Sequence, residues 1–487
     1  MRIGQTSVVV FISKLFGSAL GFLATLYFAR VLGAEVLGIY AAVTAVASWL
    51  ALGGSLGVSG GIKKRLSEGG DQGEYLVAGI GIIAFLTLIV FILLALGRPL
   101  FESYISDFEY HVEITVVVFI GAFVLVKLFH GLVNSTLQGQ NLVHIYGILS
   151  SVKVGVNSLI QFGLVFAGFG LLGMLIGYIS GIIIVSVVGL LFVSISLTIP
   201  QRHHFRRVYD YAKYFWLGGL EKRTFNDIDI LVLTAFVPSA LVGVYSVAWS
   251  ISKFLVLFSR SIRKATFPEI SRISAQEGEK SAAHLIEDSL AFGGLIIFPG
   301  LAGGFFLGER LLQIYGPEFV QGTAVLGLLI LAVLFHSFQR MFMNSLNALN
   351  RPDLAFRINA IFIVVNLVLN VFLVITIGWV GAAIATVMSA AMGLVLAFRS
   401  LRTVVEFQVP RTEIGSQILA ALLMGGAVWA VLALIEETAL IEHNVAIVLG
   451  LVTLGAGIYF TILASISKRF RATVWRNLPA VSSERSP

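Results

Sequence analysis

Apolar runs of about 20 residues, each long enough to cross about 30 Å of hydrocarbon, recur along the whole of this chain. They fall near 7–31, 36–60, 75–97, 114–136, 144–168, 171–198, 212–236, 240–264, 289–312, 322–348, 355–377, 380–401, 414–435 and 445–467. Backbone N–H and C=O groups taken into lipid must be satisfied within the segment, so each run reads as a helix and the chain as an all-α integral membrane protein of about 14 spans. Of 487 residues, 57% are hydrophobic and 12% charged, about half the charged share of a soluble domain. No soluble core grows large enough to hide so much apolar surface. The absence of cysteine excludes a disulfide framework and a thiolate-held metal. Residues 1–17 carry Lys14 within an apolar run and no small-residue cleavage site, and they read as the start of the first span rather than a removable signal.

Basic residues in short loops set the orientation. With the N-terminus inside, the inner connections hold Lys63, Lys64 and Arg65, then Arg202, Arg206, Arg207 and Lys213, then Arg263, Lys264, Arg272 and Lys280. Arg351, Arg402, Arg411 and the basic tail from Lys468 follow the same side, whereas the outer connections show little beyond Arg30, Arg98 and Arg310. Both termini are expected in the cytoplasm, with the chain spanning the cell membrane many times. The net charge of +7 is therefore a topology signal and not the footprint of a nucleic-acid site. No P-loop is present, so any driving energy comes from gradients or from consumption of the product.

The two halves echo each other. Leu37-Gly38-Ile39-Tyr40 matches Val242-Gly243-Val244-Tyr245, Asn134-Ser135 matches Asn344-Ser345, and Gly170-Leu171-Leu172-Gly173 matches Gly378-Trp379-Val380-Gly381. The offsets of 205, 210 and 208 residues each cover six spans. An even number returns matching elements to the same side, which predicts two parallel six-helix bundles facing a central cavity, with two further helices at the C-terminus. The expected division is 1–199 and 200–410 for the bundles, 411–467 for the last two spans, and 468–487 for a cytoplasmic tail.

Cations inside the spans are costly, on the order of 3 kcal/mol each at the bilayer centre if they faced lipid. Lys14, Lys127, Lys153, Lys222, Arg223, Lys253 and Arg340 all fall there. Snorkelling accounts for those near span ends, Arg340 above all; Lys153 and Lys253 sit nearer mid-span and point to an aqueous cavity. In the seventh span Lys222, Asn226 and Asp229 share a helix face, and Arg223 and Asp227, four apart, can pair. With Glu221 these residues either hold helices in register or line a substrate cavity, with an ion-coupling role open to Asp227 or Asp229. Seven cations against three carboxylates favour an anionic substrate.

Gly53-Gly54-Ser55-Leu56-Gly57 fits a hydrolase nucleophile pattern but lies in an apolar helix, where Gly53 and Gly57 read as a packing face. Gly173, Gly177 and Gly181 form a similar stripe. His203 and His204 read as a solvated pair in a basic loop rather than metal ligands, and Asn157, Asn366 and Asn370 as hydrogen-bonding groups between helices. No catalytic residue, metal or cofactor is expected.

Phe28-Ala29-Arg30-Val31-Leu32-Gly33-Ala34-Glu35-Val36-Leu37-Gly38-Ile39-Tyr40 resembles the first outer loop of polysaccharide flippases. Ile228-Asp229-Ile230-Leu231-Val232-Leu233 followed by Val242-Gly243-Val244-Tyr245 is similar to their seventh-to-eighth helix passage, and Trp379-Val380-Gly381-Ala382-Ala383-Ile384-Ala385-Thr386 to their twelfth helix. The chain thus resembles the polysaccharide-transporter branch of the multidrug/oligosaccharidyl-lipid/polysaccharide exporter superfamily over nearly its whole length. One departure is Pro238-Ser239-Ala240, where relatives often carry a Gly-Xaa-Glu-like turn. The resemblance implies a V-shaped, alternating-access carrier of a saccharide on a polyprenyl or dolichyl phosphate, serving a surface polysaccharide, an O-antigen-like polymer or a surface-layer N-glycan. Lys153, Lys222, Arg223 and Lys253 would contact the anion. Partners would be the lipid-linked glycan, membrane lipid, and glycosyltransferases, a polymerase or an oligosaccharyltransferase of the same pathway.

The alternatives are a multidrug-type cation antiporter or a peptidoglycan-precursor flippase of the same fold, a membrane glycan polymerase or ligase, and a passive scaffold. The antiporter predicts carboxylates in the first six spans, where there are none; the polymerase needs a long outer loop, which is also lacking.

Overall fold

A computed structural model describes residues 3–438 and 443–477, with the side chains of 3–16, 18, 214, 215, 217, 218 and 474–477 outside the described set. All regular structure in it is helical. The first two predicted spans merge into α1 (Ile3–Ser55), which turns at Gly33, where φ is +78°; only glycine takes that conformation without strain. A short α2 (Val58–Glu68) prolongs the second span, and α3 (Gln72–Leu96) is the third. The expected outer loop is ordered by α4 (Arg98–Tyr104) and a 3-10 turn, Ser106–Tyr110. Then come α5 (Val116–Gly139), α6 (Val143–Phe166), α7 (Gly170–Leu190) and the 35-residue α8 (Arg202–Phe236).

The eighth predicted span is a pair, α9 (Ser239–Phe254) and α10 (Val256–Glu277), bent by 44°. The ninth is also broken, into α11 (Ala283–Gly293) and α12 (Ile297–Gln313). After it follow α13 (Thr323–Ala348), α14 (Pro352–Ile377), α15 (Val380–Arg402), α16 (Arg411–Thr438) and α17 (Asn444–Ile466). The tail expected from 468 begins as a helix, α18 (Lys468–Asn477). Among the described residues eleven helices, or twelve with the bent pair, are long and apolar enough to cross a membrane. The first of these, Ala19–Ser55, holds parts of two predicted spans, and α8 falls short through its charges. Large side chains such as Leu88, Val364, Phe372 and Leu422 are about 60% exposed along these helices, where lipid rather than water is their solvent. The protein is a multi-pass membrane protein of two helical bundles.

The chain forms two compact units, Met1–Ser246 and Val247–Pro487. Inside the first, α6 packs on α7 and α5 on α7; inside the second, α14 packs on α15 and α13 on α15. The glycine stripe explains the first contact: a Cβ on Gly177 would lie 2.7 Å from the Gln161 Cα, and one on Gly181 would lie 2.2 Å from Asn157 Oδ1. The matching contact in the second unit carries Asn366, whose Nδ2 donates to Ser389 Oγ at 2.8 Å. Asn157 and Asn366 thus sit at the same helix contact 209 residues apart. Asn370 instead donates to its own helix, at the Asn366 carbonyl.

Two expectations change. Gly53 has open space around it, so Gly53 and Gly57 are not one packing face; Gly57, with φ +81°, breaks the helix and closes on the Ala212 carbonyl. His204 is not solvated: it is buried at the start of α8, accepts the Gln201 backbone N–H at Nδ1 (3.0 Å), and turns Nε2 to Asp71 Oδ2 at 3.2 Å. Because Nδ1 is an acceptor, the proton is on Nε2, facing Asp71. A metal among Asp71, His203 and His204 would have to displace it, so the group closes the helix start rather than forming a metal centre.

A close helix approach in the first unit joins repeat-related positions. A Cβ on Gly38 would lie 1.8 Å from the Ser239 carbonyl oxygen, and a Cβ on Gly243 would lie 1.8 Å from that of Ala34. Each glycine faces the residue four before the other, so the contact is two-fold symmetric. The ordered connector reinforces it: Ser239 Oγ donates to Asp107 Oδ2 (2.6 Å), and His111 Nε2 lies 3.3 Å from Glu35 Oε1. Burial pushes the Tyr104 phenol up to about 12, so its O–H remains a donor to the Leu231 carbonyl. The atypical Pro238-Ser239 turn is thus part of this contact. Gly38→Ala and Gly243→Ala are each expected to cost about 1–3 kcal/mol or more by overpacking against backbone. Gly53→Ala is expected to be neutral or stabilising by about 0.5–1 kcal/mol. Intrinsic tryptophan fluorescence during thermal unfolding in detergent checks the contrast; equal melting shifts would contradict this packing.

Candidate anion-binding site

Four predicted cations converge in the first unit. Lys127 comes from α5, Lys153 from α6, and Lys222 and Arg223 from α8. The Lys127 ammonium lies within electrostatic reach of Arg223, Asp227 and Lys153, and Lys153 within reach of Lys222 and Arg223. Lys127 is part-buried and donates to Ser48 Oγ and to the Thr44 carbonyl, while its Nζ lies 5.6 Å from the centre of the Tyr178 ring. Two polar acceptors and an aromatic face hold the cation without neutralising it. Arg223 pairs with Asp227 at 3.0 Å, both part-exposed. Lys127 and Arg223 lie beside the Asp227 carboxylate, with Lys153 next to both cations, and like charges held this close in a low-dielectric setting direct their field toward an anion.

Aromatic and amide groups hold the floor of this cluster. Tyr178 stacks on Phe123 with centroids 4.9 Å apart and meets Tyr40 edge-on at 6.4 Å. Gln161 Nε2 donates to Tyr40 Oη (3.0 Å) and to the Met174 carbonyl (2.8 Å), tying α6 to α1 and α7. His130, one turn from Lys127 on α5, faces Ser186 on α7 and feels the charge of Lys153. Tyr178 carries no signal in the sequence, whereas His130 lies three residues from Lys127 on one helix face, a spacing that could have drawn notice; the polar pair His130 and Ser186 acquires meaning only when α5 meets α7.

The remaining candidates lie elsewhere. Glu221 and Asp229 are buried at 1% and 4% exposure. Asp229 accepts from Tyr245 Oη, tying α8 to the start of α9. Lys222 is exposed and Asn226 donates to its carbonyl, so the predicted face of Lys222, Asn226 and Asp229 divides between the cluster and the helix contact. Lys14 is on α1, its side chain outside the described residues. In the second unit Lys253 lies over the Trp249 ring, 5.3 Å from its centre. Arg340 has Arg260 and the buried His336 as electrostatic neighbours, and His336 also feels Arg263. Arg260 does not stand out in the sequence, because it falls at the end of a span where basic residues are ordinary topology signals.

A cationic cluster of this kind occurs on several transporter architectures, and similarity to known proteins decides among them. The polysaccharide biosynthesis protein profile matches residues 3–274, over half of the chain. The chain belongs to this family. A second profile, MatE, matches residues 224–372 and marks the wider multidrug and polysaccharide exporter superfamily. Among curated proteins, the chain is 31% identical to a probable flippase, AglR, of Haloferax volcanii, over 97% of this chain and 98% of that one. It is 28% identical to a probable low-salt glycan biosynthesis flippase, Agl15, of the same organism, over 98% and 99%. Among solved structures, the lipid II flippase MurJ in an inward closed conformation matches with a TM-score of 0.74, at 16% identity, over 96% of this chain and all of that one. An inward-facing multidrug resistance transporter of the MATE family matches at 0.58 with 15% identity, over 80% and 95%. These structural likenesses carry the fold of this polysaccharide family member.

The Asp229–Tyr245 bond ties α8 to α9. Tyr245→Phe is expected to cost about 1–3 kcal/mol by removing a donor from a buried carboxylate. Combined with Asp229→Asn it should show a coupling of about 0.5–3 kcal/mol. A double-mutant cycle by thermal unfolding measures it, and strict additivity would contradict the contact.

Proposed function

We propose that the protein is a flippase, not an enzyme, that carries a saccharide on a polyprenyl or dolichyl phosphate from the cytoplasmic to the outer face of the cell membrane. The observation that carries this reading is the convergence of Lys127, Lys153, Lys222 and Arg223, from three helices, on one part-exposed site. A membrane-embedded phosphate needs such a site, because an anion in hydrocarbon is stable only beside compensating charge. The lipid tail needs no pocket, since it stays in the bilayer. The probable flippase AglR and the probable low-salt glycan biosynthesis flippase Agl15, matched over nearly the whole chain, support this reading.

In this reading both termini are cytoplasmic and the cargo is a glycan destined for a surface polymer or a surface-layer glycoprotein. The repeat segments 1–199 and 200–410, a division set by the repeat and different from that of the compact units, act as the two halves of an alternating-access carrier, with 411–467 as an accessory helix pair and 468–487 as the tail. Lys127, Lys153, Lys222 and Arg223 contact phosphate, while Lys14, Lys253 and Arg340 serve as further substrate contacts. Asp227 tempers the charge so that the substrate is released as well as bound, and Glu221 and Asp229 hold α8 in place. Partner enzymes are those that build the lipid-linked glycan inside and consume it outside.

Deletion of the gene is expected to raise lipid-linked saccharide on the cytoplasmic face and remove finished glycan from the surface. Lys127→Met, Lys153→Met and Arg223→Met are each expected to lower flipping by about ten- to a hundredfold, the scale of one charge-assisted hydrogen bond, with normal amounts of protein in the membrane. Fluorescent lipid-linked saccharide in proteoliposomes gives the rate. Unchanged glycan pools together with new sensitivity to cationic drugs would replace this reading with an antiporter.

A further inference from the structure

His130 stands inside the cationic cluster, yet holding that cluster together does not require a titratable ring. Its hydrogen bonding fixes where its proton is. Ser186 Oγ donates its single hydrogen to the Ile182 carbonyl, at 2.7 Å. It can therefore only accept from His130 Nδ1, which lies 2.9 Å away. The ring thus carries its proton on Nδ1, and its basic lone pair is on Nε2. A second proton on Nε2 leaves the bond to Ser186 intact. The ring can change charge without changing position.

The surroundings make that charge matter. From α6, Lys153 is the charged group acting on the ring, and Lys127 lies one turn away on α5. Lys222, Arg223 and Asp227 of α8 act on those two lysines. On α7 the neighbours are Ser186 and the Tyr178 phenol, and α1 brings Ser48, Thr44 and Tyr40. Lys63 of α2 is engaged two turns further on with Gln138 Oε1, at 2.8 Å. The α3 contact with α5 is apolar, Phe91 against Gly121, and the Arg98 of α4 is paired with Glu102. An anion bound among these lysines offsets their charge at the ring.

We propose that His130 is a proton acceptor of the anion site, so that phosphate-bearing cargo and a proton bind together and leave together. This rests on the reading of the cluster as an anion site. Linkage is reciprocal: an anion that makes Nε2 more basic is itself bound more tightly when Nε2 is protonated. Affinity for the anion therefore rises as pH falls. It assigns the coupling to His130 rather than to Asp227 or Asp229, which are engaged with Arg223 and Tyr245.

The test uses the full chain in detergent and inorganic pyrophosphate as probe. Calorimetry in buffers of different ionisation enthalpy gives the protons taken up per anion bound; the protonation of pyrophosphate itself is common to all proteins compared. Wild type is expected to take up more protons than His130→Gln, by up to about one per site. As pH rises through the titration of the anion-bound ring, the affinity of wild type should weaken more than that of the variant, by up to about tenfold when the anion raises the proton affinity of one ring about tenfold. Should His130→Gln not fold, nitrogen-15 imidazole spectra of wild type carry the test. One ring should show an Nδ1–H tautomer in the free protein and become doubly protonated when pyrophosphate is added at constant pH. Pyrophosphate binding with equal proton uptake in both proteins, or with no histidine changing state, overturns the assignment of His130 while leaving the anion site standing. Failure of wild type to bind pyrophosphate overturns the anion site, and this inference with it.

Discussion

Hydrocarbon offers no partner to a hydrogen-bonding group or a charge, and that constraint organises everything in this protein. It makes each crossing segment a helix, because only a helix satisfies its own backbone within the segment. It also makes each charge inside a helix answerable to a named neighbour. Lys127 answers to Ser48, Thr44 and the Tyr178 face, Arg223 to Asp227, and Asp229 to Tyr245. Lys153 in turn has Lys222 and Arg223 as its charged neighbours.

Close approach of helices without a hydrophobic driving force depends on small residues and shape. Gly177 and Gly181 let α7 seat against the Gln161 and Asn157 of α6, and Gly38 and Gly243 bring α1 and α9 into backbone contact. The last contact pairs positions that the internal repeat relates to one another. Glycine is the residue that allows two helix backbones to meet this closely. The ordered connector from α4 to the Ser106–Tyr110 turn then ties the same region through Asp107 and Glu35.

The cationic cluster divides labour on α8. Its charged face splits between the cluster, through Lys222 and Arg223, and the buried contact with α9, through Asp229. The long helix that falls short as an apolar span is therefore the one that both builds the site and joins it to the next helix.

Much of this was legible in the sequence. Length and hydropathy of the apolar runs determined the helices, because a lipid-spanning segment has one way to satisfy its backbone. The Arg223–Asp227 pair followed from helical spacing alone, and the Gly173, Gly177 and Gly181 stripe from periodicity. Tertiary structure alone decided which cations meet, since Lys127, Lys153 and Lys222 lie on three different helices and their spacing in the chain carries no information about distance. It decided that Gly57 breaks a helix that Gly53 merely occupies, that His204 closes the start of α8 on Asp71, and that His130 faces Ser186. Periodicity along one helix reports which face a residue shares, and only the packing of helices determines what that face meets.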